Sequence, residues 1–333
     1  MPRSTVAQIG QVLDDRYHLT EVIGRGGMSV VYKAEDLQNG KEAVAVKVPL
    51  PMFASGLGAW SMFQQEESIG LRLNHPLVLK FVANSGSSRR SYLVTEYVPG
   101  PTLDERLREQ CPLPENEALW VASQICEALQ HMHDRGYVHY DLKPANVILC
   151  PDGTIRLIDL GTAHAAQMNG FTLSGAPPQI GTPDYVAPEQ IRRKRGRKSA
   201  DMYGIGAMLY EMLSGQPPFP GDDPFQLASS RLLGDPLAPR EVNPKISAEA
   251  EEIVLRALRR KPTERFSSIA MLKAALDNPE RVIVSNLRER LQPVTRWRRY
   301  WRIIRHLSIV VLIPIASQVL LFLVFWHYWA HRH

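Results

Sequence analysis

The run Leu307–Trp326, LSIVVLIPIASQVLLFLVFW, holds 20 residues and no charge. As a helix it is about 30 Å long, the thickness of a bilayer's hydrocarbon core. Such a segment has two destinations, a fully buried core helix or a membrane span. Its length and lack of charge favour the span, where Pro314 is better tolerated than in water. The flanks set a direction. Arg296, Arg298, Arg299, Arg302 and Arg305 precede the run, and only Arg332 follows it. The positive-inside rule then places residues 1–306 in the cytoplasm. Trp297, Tyr300 and Trp301 on one side, and Trp326, Tyr328 and Trp329 on the other, suit the two interfaces. Met1–Thr20 has no apolar core of signal-peptide length. The expectation is a single-pass protein of the cell (inner) membrane, with lipid as the partner of residues 307–326. The tail at 327–333, HYWAHRH, reads as a short solvated end rather than a metal site.

The anchor divides the rest of the chain. The net charge is +5, from 39 Lys/Arg and 34 Asp/Glu. Residues 277–333 hold nine Lys/Arg and three Asp/Glu, which leaves 30 and 31 for residues 1–276. A globular nucleic-acid binder carries its basic surface on the fold, so no nucleic-acid partner is expected. Cys111, Cys126 and Cys150 show neither a disulfide framework nor zinc spacing, and a reducing compartment fits.

Residues 17–276 read as one α+β unit in two parts. Up to about Tyr97 the chain is rich in short apolar runs, VAVKV and SYLVTEYV among them, which predict strands. Beyond Val98 the apolar spacing becomes helical, as in ENEALWVASQICEALQHMH and SAEAEEIVLRALRR. Thr102 and Glu105 form a capping-box pattern that predicts a helix start. Residues 1–16 are then an N-terminal extension, and 277–306 a basic juxtamembrane segment.

Three short patterns carry chemistry. In IGRGGMSVVYKA, residues 23–34, Gly24, Gly26 and Gly27 lie between strand-like stretches. Such a cluster is either a hairpin turn or a backbone that approaches a polyphosphate with its N–H groups. Lys47 sits inside the apolar VAVKV run and therefore needs a partner. HYDLKPANVIL, residues 139–149, places Asp141, Lys143 and Asn146 within six residues.

These motifs resemble the protein kinases, and the wording GGMSVVYKA is especially similar to bacterial serine/threonine kinases of the eukaryotic (Hanks) type. The resemblance runs through residues 17–276 and implies a two-lobed kinase fold: an N-lobe of about 17–97, a C-lobe of about 98–276, and the transmembrane helix beyond. It implies ATP with Mg²⁺ or Mn²⁺ as cofactors, protein substrates with Ser/Thr acceptors, and a homodimer as one assembly. Ile23, Gly24, Arg25, Gly26 and Gly27 would form the loop over the phosphates. Lys47 would hold the α- and β-phosphates, paired with Glu66; the adjacent Glu67 is the alternative. Val31, Ala45 and Ile148 would sandwich adenine, with Thr95 as gatekeeper and Glu96–Val98 as hinge. Asp141 would accept the proton of the substrate hydroxyl, and Lys143 would neutralise the moving phosphoryl group. Asn146, with Asp159 of Ile158-Asp159-Leu160-Gly161, would bind magnesium. Thr182, in GTPDYVAPE, would contact Asp141 and Lys143, and Arg265 would pair with Glu189. His131, His133 and His139 read as structural.

Three departures stand out. Ser29 replaces the third loop glycine. Gly70, one turn after Glu66, stands where many kinases have a larger apolar residue, which predicts a mobile helix. Tyr140 replaces the arginine that reads an activation-loop phosphate. They leave two readings open, an active kinase and a pseudokinase that binds ATP or acts as a scaffold. The basic cluster at 192–198 reads as a solvated loop or as a site for acidic substrates or anionic lipid.

Overall fold

The computed structural model of the protein describes residues 7–51, 57–83, 92–161, 163–165, 184–192, 198–221, 223–293 and 326. Its first part is an antiparallel sheet of β1 (Val12–Leu13), β2 (Tyr17–Arg25), β3 (Ser29–Asp36), β4 (Glu42–Pro49) and β5 (Leu93–Glu96), hydrogen-bonded in that order. Alternation decides its two faces. Val30, Tyr32, Val44 and Val46 pack on one side with Tyr17, Leu19, Tyr92 and Val94. The residues between them fall on the other side. There the register sets Gly24 opposite Val31, Val31 opposite Lys47, and Ala45 opposite Thr95. Directly opposed residues share a face, so pairing alone brings the loop glycine, the lysine and Thr95 to one surface.

Residues ahead of 17 also pack on the sheet. Residues 7–13 belong to the sheet: Ala7 is buried, and its carbonyl accepts the Tyr32 hydroxyl. Gly10 N–H donates to Leu19 O at 2.8 Å, and Leu19 N–H to Gln11 O at 2.9 Å. These residues cover an edge strand that would otherwise be unpaired.

Helix α1 (Leu57–Gly70) crosses behind the sheet and buries Phe63 and Ile69 in a core that continues into the helical part. There follow α2 (Leu103–Glu109), α3 (Glu115–Asp134), α4 (Pro188–Ile191), α5 (Lys198–Ser214), α6 (Pro224–Leu233), α7 (Pro239–Val242), α8 (Ala248–Ala257) and α9 (Ile269–Asp277). Every residue of α5 from Ala200 to Tyr210 is buried, so this helix is the axis around which α3 and α8 pack. The capping box forms: Thr102 Oγ1 accepts Glu105 N–H at 3.2 Å, and Thr102 N–H donates back to Glu105 Oε2 at 2.7 Å. Two small ribbons, β6 (Tyr137–Val138) with β9 (His164–Ala165) and β7 (Val147–Leu149) with β8 (Ile155–Leu157), bracket the loop at 139–146. Among the described residues no helix is long and apolar enough to cross a membrane. The proposed span at 307–326 lies outside them, except for Trp326.

Candidate active site

The face of the sheet that carries Lys47 closes over the two ribbons. Lys47 Nζ donates to both carboxylate oxygens of Glu66, at 2.8 and 2.9 Å, and to Asp159 Oδ1 at 3.1 Å. Glu66, rather than Glu67, is therefore the partner, and it is 5% exposed. Burial works against the ammonium, but the negative charges of Asp159 and Glu66 outweigh it and raise the pKa of Lys47. Asp159 moves the other way. Burial would protonate it, but Lys47 and Lys143 hold its carboxyl below the usual range, and it stays ionised. Its backbone is left-handed, φ +61°, a conformation uncommon outside glycine. Ile158 N–H fixes that turn by donating to Asn146 O at 2.9 Å. Leu160 next to it is fully buried, as an apolar replacement for phenylalanine should be.

The loop at 139–146 is held from below. Asp201 of α5, 1% exposed, accepts the backbone N–H groups of His139 at 3.0 Å and Tyr140 at 2.8 Å. It also meets His133 Nε2 at 2.8 Å. His139 Nδ1 accepts Asp141 N–H at 3.3 Å, and Nε2 lies 3.3 Å from Ile158 O, so one tautomer, protonated on Nε2, satisfies both contacts. The expectation that His133 and His139 are structural holds. Tyr140 takes a left-handed φ of +67°, and its carbonyl accepts Gln190 Nε2 at 3.0 Å. This clamp leaves Asp141 on the open side. Lys143 Nζ donates to Asp141 Oδ2 at 2.8 Å, and Asn146 Nδ2 to Asp141 O at 2.8 Å.

The donor set fits a hard cation. Asn146 spends its amide N–H on Asp141 O, which leaves Oδ1 for a metal, and Asp159 is an ionised oxygen donor. Among the described residues no group of three or more His, Cys, Asp or Glu side chains forms a metal site by itself. A cation here would complete its shell with phosphate oxygens and water, as Mg²⁺ does. The glycine loop fits a polyphosphate. A Cβ on Gly27 would meet nothing within 4 Å and one on Gly26 only Ser29 O at 3.7 Å, so packing within the protein does not require glycine there. Val31, Ala45 and Ile148 are only half-buried, Ile23 is exposed, and Thr95 is buried. Glu96 Oε1 lies 3.6 Å from Arg156 Nε. Thr182 lies outside the described residues, as do Thr172 and Ser174, the candidate phosphate acceptors between Asp159 and Glu189, and most of the basic cluster at 192–198.

Arg265 and Glu189 pair as expected. The guanidinium grips the carboxylate with two bonds, at 2.6 and 2.8 Å, with both side chains buried. Sequence reasoning missed Gln190, which clamps Tyr140, and Tyr185, whose hydroxyl donates to Glu211 at 2.6 Å. It also missed what fills the space at Gly70. A Cβ there would lie 2.2–2.5 Å from three ring atoms of Phe81. Phe81 supplies from the opposite wall the bulk that the helix lacks. Together with Gln65 Nε2 donating to Ala163 O at 2.9 Å, it seats α1 with the Lys47–Glu66 pair formed.

A small antiparallel sheet over a helical body, with a lysine–glutamate pair and an Asp–Lys–Asn loop at the junction, is the arrangement of a protein kinase domain. The chain belongs to the protein kinase family: the family described as protein kinase domain matches residues 17–277. Serine/threonine-protein kinase PknB of Mycobacterium tuberculosis is 34% identical over 268 residues, which cover 79% of this chain and 43% of that protein. PknB of Mycobacterium leprae is 35% identical over 270 residues, covering 79% and 43%. A probable serine/threonine-protein kinase of Streptomyces coelicolor is 36% identical over 270 residues, covering 80% and 40%. The matched region thus spans about two fifths of the length of these curated relatives.

Proposed function

We propose that this protein is a membrane-anchored serine/threonine kinase that transfers the γ-phosphoryl group of ATP to hydroxyls of protein substrates. The observation that carries the reading is the joint placement of Lys47, Glu66 and Asp159 within 3.1 Å contacts, beside Asp141, Lys143 and Asn146. A bound ATP supplies the phosphoryl group, and its magnesium neutralises the charge that spreads over the phosphate oxygens. Lys47, held straight by Glu66, would orient the α- and β-phosphates. Asp159 and Asn146 would hold the metal through oxygen. Asp141 would accept the hydroxyl proton of the substrate at a carboxylate oxygen. Lys143, already 2.8 Å from that carboxylate, would lie against the charge of the transferring group. Catalysis of this kind is positioning plus electrostatics, which a pre-formed constellation supplies.

The alternative, an ATP-binding scaffold without turnover, rests on Ser29, Gly70 and Tyr140. Phe81 compensates for Gly70, and Tyr140 keeps the backbone bond to Asp201 that shapes the loop. Incubation with ATP, Mg²⁺ and a generic basic protein separates the two readings. Wild type should phosphorylate serine or threonine, and Asp141→Asn and Lys47→Met should each lose at least about 10²–10⁴ of the rate. Near-normal kcat in either variant would overturn the assignment. The uncharged run at 307–326 supports the anchor and its arginine flanks support a cytoplasmic kinase domain. The intact chain should sediment with membranes after alkaline carbonate; recovery in the supernatant without detergent would remove the anchor.

A further inference from the structure

After α9 the chain does not leave the body of the protein. Residues 278–293 run back along the helical part and are tied down by two buried carboxylates. Glu252, 5% exposed, accepts Ser285 Oγ and Leu287 N–H. Asp235, 7% exposed, accepts Gln292 N–H at 3.0 Å, while Asp235 N–H donates to Gln292 O at 3.1 Å. A parallel bridge then sets Pro293 beside Asp235. The point from which the chain departs is therefore fixed at the C-terminal end of α6.

That point lies in an unusual surface. Leu233 and Leu237, two residues to either side of Asp235, are 49% and 48% exposed, and Phe225 at the other end of α6 is 80% exposed. Two cations border them. Arg192 reaches Leu232 O at 3.4 Å, and Arg260 lies 3.0 Å from Asp235. Asp235 is buried and paired with Arg260, so the exposed character of the patch is apolar, with arginines at its Leu233–Leu237 end and the exposed cap carboxylate of Asp223 beside Phe225. Apolar side chains beside arginines suit the boundary between lipid headgroups and acyl chains.

We propose that this face, α6 with the turn after it, docks on an anionic bilayer surface. The inference rests on the anchored reading above, and the chain's length supports it. Residues 294–306, 13 in all, separate Pro293 from the start of the uncharged run, and they carry five arginines. Even fully extended they reach only about 45 Å. A tether of that length keeps the patch near the headgroups at an effective concentration on the order of millimolar, so a weak contact suffices. The tether's own charge draws the same lipids to the site. The docked face adjoins α4, whose Gln190 clamps the catalytic loop, so acceptor residues close to the membrane plane would be favoured substrates.

The test uses the full-length chain in vesicles of phosphatidylglycerol mixed with phosphatidylcholine, and in phosphatidylcholine alone. Phe225→Cys and Leu237→Cys are labelled with a water-soluble maleimide, read site by site, with Ile9→Cys (61% exposed, on the sheet) as reference. Labelling at 225 and 237 should slow by about tenfold in the anionic vesicles, with Ile9→Cys unchanged. Equal rates in both vesicles, from a chain that resists carbonate, would overturn the docking face and leave the anchor standing. Release of the chain by carbonate would remove the anchor, and the docking face with it. Protection that persists in detergent and grows with protein concentration would mean a second copy covers the face, and would equally overturn the lipid assignment.

Discussion

Gly70→Ala is the sharpest perturbation the structure offers. The new Cβ would sit 2.2 Å from Phe81 Cδ2, 2.4 Å from Cε2 and 2.5 Å from Cγ. An ordinary contact needs more than 3.4 Å, so ring or helix must retreat by about 1 Å, and the ring is only 6% exposed in a packed core. Overpacking of this kind costs about 1–3 kcal/mol. Replacing glycine in a helix returns at most about 1 kcal/mol, and less here because Gly70 is the last residue of α1. The clash wins, with a net loss of about 1–2 kcal/mol, or roughly 2–8 °C in Tm for a domain of this size. Function should suffer as well. Glu66 lies one turn back on the same helix, and a 1 Å retreat stretches its 2.8 Å bond to Lys47 beyond hydrogen-bonding range. The assay is thermal unfolding beside kcat and KM for ATP. The rescue is Gly70→Ala/Phe81→Leu, which removes the ring and should recover most of both losses, a coupling of about 1 kcal/mol or more. A Gly70→Ala protein as stable and as active as wild type would refute the argument that Phe81 seats this helix.

Other expectations follow from single contacts. Arg265→Ala strands Glu189 in the interior and takes away the donors to Arg259 O and Ser199 O, so urea unfolding should show a loss of about 3–5 kcal/mol; a loss below 1 would refute it. Burial, with the charge of Asp201, raises the Tyr140 phenol to about 12. The unfolded chain then ionises first, so this contribution to stability is complete below about pH 10 and declines as the pH rises towards 12. Tyr140→Phe should flatten that alkaline limb in denaturant titrations, and an equally steep limb in the variant would count against it. Tyr140 also carries no positive charge to meet a phosphate on Thr172 or Ser174, so the Thr172→Ala/Ser174→Ala variant should stay within about tenfold of phosphatase-treated wild type in kcat/KM. A hundredfold loss with the fold intact would show that another basic residue reads the loop.

What the sequence disclosed follows from the range of the interactions concerned. The capping box at Thr102 lies within four residues, so spacing alone predicts its contacts, and the Asp141–Lys143–Asn146 motif is short enough for its resemblance to a catalytic loop to be read in one stretch of chain. The apolar run VAVKV likewise marks a strand and a lysine in need of a partner before any partner is known. The pairs Lys47–Glu66 and Glu189–Arg265 came instead from resemblance to a family, because nothing local in the chain selects a partner 19 or 76 residues away. Gly70 marks where both sources stop. Helix propensity marks a glycine as a weak point, and the family pattern marks it as a missing side chain. Neither says that a ring 11 positions later fills the same volume, because that depends on how the chain turns between Leu71 and Val78. The strap at 278–293 was hidden for a related reason. In sequence it reads as part of a basic juxtamembrane segment at 277–306, yet Glu252 and Asp235 fix it through backbone and hydroxyl donors that no composition reveals. The path of the chain after α9 therefore lies in bonding to two buried acids, whereas the chemistry of the candidate site lies in side chains whose identity is exposed in the sequence.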